Sequence, residues 1–162
     1  MSDRDAGLRQ HLLDLLEGGH AYSKPGPILE KLPFALQGQV PDRAEHSPWQ
    51  VLEHLRLAQW DILEFSRSGD HESPPWPEGY WPENPAPPDE GAWDRSVEAF
   101  FQDLQGMKDL VADPQSDLYA PFPWGKGQTL LREALLVADH NSHHLGQMIL
   151  LRRLLGAWPP KE

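Results

Sequence analysis

Seven prolines crowd into residues 70–91, at Pro74, Pro75, Pro77, Pro82, Pro85, Pro87 and Pro88. Proline lacks a backbone N–H and fixes φ, so this stretch can be neither a continuous helix nor a central strand. Trp76, Tyr80 and Trp81 are interleaved with the prolines. A structureless connection beyond about 12–15 residues is uncommon in a compact domain. Three large rings are also costly to leave in water. The expectation is an ordered strap whose aromatics pack back onto the protein or onto a partner chain; the alternative is a flexible lid. Extended at about 3 Å per residue, such a segment outreaches a twenty-residue helix of about 30 Å.

Around the strap the apolar residues follow a helical period. Leu8, Leu12, Leu15 and Leu16 mark a first helix over 3–17, ended by Gly18 and Gly19. A short helical piece follows Pro27, with Ile28, Leu29 and Leu32, and stops at Pro33. Ser47 can cap a second long helix with Pro48 in its first position, where the missing N–H costs nothing. Its stripe is Val51, Leu55, Ala58, Ile62 and Phe65, and it reaches about Ser68. A third helix runs from near Asp89 to Asp113 and carries Trp93, Val97, Phe100, Leu104 and Val111. A second loop, 115–128, holds Pro121, Pro123, Trp124 and Gly125, and a fourth helix runs from Thr129 to Leu155. Strand signals are almost absent. These segments predict an all-α four-helix bundle forming a single domain over residues 1–162.

Composition removes several kinds of chemistry. The chain has no cysteine, which rules out disulfides, thiolate zinc sites, iron–sulfur clusters and a cysteine nucleophile. A net charge of −11 disfavours nucleic-acid binding, which rests on neutralising phosphates. There is no apolar leader after Met1 and no run of about 18 apolar residues, so the expectation is a cytoplasmic protein that neither crosses nor binds a membrane. Twelve of the 25 acidic residues lie between Asp70 and Asp117, against only Arg95 and Lys108. The expected role is a solvated helix face with an acidic loop; an acidic rim that attracts cations is the alternative.

The eight histidines divide by position. His140 and His144 are four apart, and both fall with Val137, Met148 and Leu151 on the inward face of the fourth helix. Two imidazoles at this spacing can hold one cation. His143 lies about 100° away, at the flank. His54 borders the apolar stripe of the second helix and also points inward, so two helices can present three nitrogen ligands. Spacing alone leaves a metal site and a set of hydrogen-bonded core histidines both open. His11, His20, His46 and His71 read as incidental, Asp139 as exposed, and Asp61 and Glu133 as solvated near the bundle ends, with Asp61 orienting a ligand ring as the alternative.

Two motifs carry a family resemblance. The run Ser47-Pro-Trp-Gln-Val-Leu-Glu-His-Leu, with Trp49 and Glu53-His54, resembles the second-helix signature of the DinB-like superfamily. Asp139-His-Asn-Ser-His-His-Leu-Gly-Gln147 resembles its fourth-helix motif, and Leu150-Leu-Arg-Arg-Leu-Leu-Gly156 its tail. The resemblance implies an up-down-down-up bundle in which 70–91 crosses over between the second and third long helices. It implies a bacterial homodimer that binds a divalent metal through His54, His140 and His144; a three-histidine site with open positions suits zinc, nickel or another late first-row ion. Some relatives carry glutamate where this chain has His140, so the site here would be neutral before metal binds. It further implies a metal-dependent S-transferase that uses a low-molecular-weight thiol and a small-molecule substrate, with no catalytic side chain assignable. The alternative is a non-catalytic, metal-stabilised dimeric bundle serving as a binding or stress-response module.

Overall fold

The computed structural model describes residues 3–21 and 23–160. It is all-α. Helix α1 spans Asp3–Glu17, α2 Pro25–Leu29, α3 Phe34–Gln37, α4 Pro48–Arg67, α5 Ala92–Ala112 and α6 Leu130–Leu154. A single 3-10 turn, Glu78–Tyr80, interrupts the proline-rich segment. Among the described residues the only β-type pairing is an isolated bridge between Pro121 and Thr129.

The starts of α4 and α6 follow from their caps. Ser47 Oγ accepts from the Gln50 backbone N–H, and the Gln50 side chain accepts from the Ser47 N–H, a reciprocal capping box. Thr129 accepts from the Arg132 N–H at the head of α6. The third long helix begins at Ala92 rather than near Asp89. Asp89 instead accepts from the Gly91 N–H and from Arg95, closing a turn ahead of the helix. Pro33 does not end a helical piece that includes Leu32. Helix α2 already stops at Leu29, and Pro33, with φ −54°, opens α3. Leu15 lies outside the buried stripe of α1 and is 44% exposed, whereas Leu12 and Leu16 are buried.

Helix α4 packs against both α5 and α6, and α1 packs against the same two. Along α4 and α5 the touching pairs ascend together: Ser96 donates to Glu53, Gln59 to the Phe100 carbonyl, and Gly106 lies under Leu63 and Arg67. A Cβ at Gly106 would sit 2.6 Å from Arg67 Nη2 and 2.9 Å from Leu63 Cδ2, so a larger residue here would have to displace the ends of those side chains. Along α4 and α6 the order is reversed. Val51 shares a cleft with Leu150 and Leu151, while Ile62 and Phe65 share one with Arg132 and Leu136. Leu52, Leu55, Leu63, Trp93, Phe100, Met107, Leu145 and Met148 fill the space between the helices.

The proline-rich segment follows α4 from Asp61 back to Ser47. His71 meets Asp61 at 2.7 Å, Tyr80 Oη donates to Asp61 at 2.7 Å, and Gln50 Nε2 donates to the Pro82 carbonyl at 3.0 Å. Ser47 Oγ then donates to the Pro85 carbonyl. Tyr80 is buried and Trp81 half-buried, as expected of packed aromatics, but Trp76 is 72% exposed, with its ring 5.3 Å from that of Tyr80. In the second loop Trp124 is 41% exposed and is anchored by its indole N–H to the Phe65 carbonyl. Of the twelve acidic residues between Asp70 and Asp117 only Asp103 is not exposed, which fits a solvated face and an acidic rim equally.

Candidate metal centre

The α4 and α6 periods bring His54, His140 and His144 to one level of the helix interface. One nitrogen from each ring lies within 4.8 Å of the other two, so the three could hold a metal ion. His54 Nε2 and His140 Nε2 are 3.0 Å apart, and the His144 ring centroid lies 4.5 Å from each of the other two. His54 and His144 are buried and His140 is half-buried.

Outer partners fix two of the three rings. His54 Nδ1 lies 3.1 Å from the Tyr80 carbonyl, which can only accept, so the proton sits on Nδ1 and Nε2 presents a lone pair inward. His144 Nδ1 likewise donates to Gln147 Oε1, one helical turn further on. Burial, reinforced by the His144 ring, lowers the pKa of His54 to about 4. Burial, with His144 and His54 nearby, lowers that of His140 to about 3. Burial also pushes His144 down. All three imidazoles are therefore neutral at pH 7, the form that ligates metal. The donor set fits a divalent ion with nitrogen preference, and its uncharged all-imidazole character suits late first-row ions.

The surroundings correct several readings of the sequence. His46 is not incidental: its ring stacks on Trp81 at 4.1 Å, and Trp81 stacks on His54 at 3.9 Å with the planes 6° apart. His71 is not incidental either, since it pairs with Asp61. Asp61 is no solvated end residue. It accepts from both His71 and the Tyr80 hydroxyl, and so holds the turn whose carbonyl orients His54. Glu133 is 2% exposed and accepts from Arg132. Asp139 is exposed, as expected, and so are His11, His20 and His143, although the His143 ring lies 4.8 Å from His144.

Tyr80, Trp81 and Gln147 are the site residues that spacing did not single out. Gln147 had a signal, three residues past His144 on the same helix face. Tyr80 contributes its main-chain oxygen, which no side-chain pattern encodes. His46 and Gln147 also line a groove of about 570 Å3 whose floor is Val51, Leu150, Leu151 and Leu154 and whose rim includes Arg43.

The model of the DinB superfamily matches residues 26–148, and the chain belongs to this superfamily. The match spans both histidine motifs. No curated protein and no solved structure matches the chain.

Proposed function

We propose that this protein binds one divalent ion, zinc or nickel, through His54, His140 and His144, and acts as a transferase with a low-molecular-weight thiol. The observation that carries the reading is the convergence of three neutral imidazoles from two helices of a DinB-superfamily chain. When bound, a divalent ion would lower the pKa of a coordinated thiol and stabilise the thiolate. The chain's own residues prepare that chemistry. Tyr80 and Gln147 orient two rings, Trp81 shields His54 from water, and the groove beside His46 and Gln147 offers aliphatic surface for the body of a small-molecule substrate. No cysteine is needed, because the reacting sulfur would come from the thiol.

The same reading takes the four long helices as an up-down-down-up bundle and residues 70–91 as its crossover, supported by the order of touching pairs along α4, α5 and α6. It takes 1–162 as one domain in a cytoplasmic homodimer. The test is a thiol-transfer screen with zinc- or nickel-loaded protein against electrophilic acceptors. Turnover in wild type that disappears in His54→Ala is the expected result, and metal uptake without turnover of any acceptor would count against a transferase. A second reading is favoured by one feature: His54 is only 2% exposed and lies beneath Trp81. Under it, metal stabilises a non-catalytic bundle, and a large rise in melting temperature with metal would accompany the absence of turnover.

A further inference from the structure

His140 differs from the other two ligand candidates. His54 and His144 each turn an Nδ1–H outward onto an oxygen and leave Nε2 bare. His140 Nδ1 is buried with no hydrogen-bond partner. Its Nε2 lies 3.0 Å from the bare Nε2 of His54, a contact that is a hydrogen bond only when His140 carries its proton on Nε2. The next residue along α6, Asn141, has the matching defect. Its Oδ1 is buried and unpartnered.

The Asn141 amide is not free to turn away. Its Nδ2 donates to Gln59 Oε1 at 2.7 Å, and Gln59 Nε2 donates in turn to the Phe100 carbonyl at 2.6 Å. A carbonyl accepts only, so the whole chain of amides has one orientation, with Asn141 Oδ1 an acceptor in search of a donor. With the proton on His140 Nε2, two bare and buried acceptor atoms therefore sit on consecutive residues, an arrangement that folded proteins avoid. Moving the proton to Nδ1 supplies Asn141 with a donor. It also leaves two lone pairs, those of His54 and His140, facing each other, which only a cation between them reconciles.

We propose that Asn141 is a positioning residue that holds His140 in its Nδ1–H form when a divalent cation is bound, so that cation uptake and a tautomer switch of His140 occur together. All three rings then share one arrangement: Nδ1–H outward on Tyr80, Asn141 and Gln147, and Nε2 inward. Metal-ligating imidazoles are oriented and made more basic by such outer acceptors. This inference rests on the metal-binding reading above.

The experiment titrates metal-free protein with zinc, by competition against a chelating dye, for wild type, Asn141→Leu and Asn141→Asp. Both variants lose the donor to Gln59, so both melt lower. Only leucine loses the acceptor for His140. Zinc affinity is expected to fall ten- to a hundredfold in Asn141→Leu and to stay at or above the wild-type level in Asn141→Asp. In wild type, nitrogen-15 NMR of the histidine rings should show His140 change from Nε2–H to Nδ1–H on adding zinc; this arm stands even if the leucine variant fails to fold. Equal losses in both variants, equal affinity in all three proteins, or one unchanged His140 tautomer would overturn the role of Asn141 while leaving zinc binding intact. Wild type that takes up no zinc would overturn both this inference and the reading beneath it.

Discussion

Polar side chains are buried in this protein in two contrasting ways. Arg152, 1% exposed, donates from Nη1 to the carbonyls of Ile28 and Glu30 and from Nε to that of Ala157. Arg9, 5% exposed, does the same at the end of α5, reaching the carbonyls of Val111, Asp113 and Ser116. Each guanidinium meets several main-chain acceptors and joins segments distant in sequence. The histidine cluster is the reverse case. Its nitrogens turn toward one another, one of them has no partner, and no carboxylate lies in the donor set. Buried groups that satisfy main-chain oxygens serve the fold, whereas buried bases that converge with lone pairs to spare are arranged for something else.

The contrast predicts that the two groups respond to different perturbations. The largest stability effect should come from Arg152→Met, which strands the carbonyls of Ile28 and Glu30. Urea denaturation should show a loss of about 2–4 kcal/mol, with zinc uptake by the remaining folded protein unchanged. A loss of metal binding as large as the loss of stability would erase the distinction.

Acid should act on the histidines and leave the arginines untouched. The folded pKa values of His54 and His140, about 4 and about 3, lie below the ordinary value of 6.5. The unfolded chain therefore binds more protons, and metal-free stability must fall as pH drops from about 6.5 toward 4. The slope is about 1.4 kcal/mol per pH unit for each ring involved. Glu17, held at about 2 by hydrogen bonds from Lys108 and Lys24, loses its contribution only below the ordinary carboxylate value of 4.5, so the upper part of the window belongs to the histidines. Denaturant titrations between pH 7 and 5 should show this slope in wild type and a shallower one in His54→Gln. Identical slopes would remove His54 as a source.

A smaller effect is expected from Tyr80→Phe. The variant keeps the carbonyl that orients His54 but removes the hydroxyl donated to Asp61. Stability should fall by about 0.5–1.5 kcal/mol, with zinc affinity weakened several-fold. Unchanged affinity would show that the turn at Tyr80 keeps its place without the Asp61 anchor.

These two kinds of burial were unequally legible in the sequence. Helix period and caps suffice for α1, α4 and α6 because apolar spacing and the signals at Ser47, Pro48 and Thr129 act locally. The same period places His54, His140 and His144 on inward faces, so their convergence follows once the helices pack. Arg9 and Arg152 left no trace, because all but one of the carbonyls they bind lie a hundred or more residues away and carry no side-chain signature. The roles of His46, His71 and Asp61 escape the sequence for a related reason: Trp81 and Tyr80, the partners of His46 and Asp61, and His71 itself sit on an aperiodic segment whose path is set by hydrogen bonds to α4. Trp76 erred in the opposite direction, since an aromatic in a proline-rich run is not thereby packed.

The central claim is that His54, His140 and His144 form one metal site. Metal content of purified protein, measured by mass spectrometry after zinc loading and removal of excess ion, tests it most directly. The account predicts about one zinc per chain in wild type and close to none in His144→Ala, with both proteins folded. Full retention of zinc in His144→Ala, or none in wild type, would contradict it.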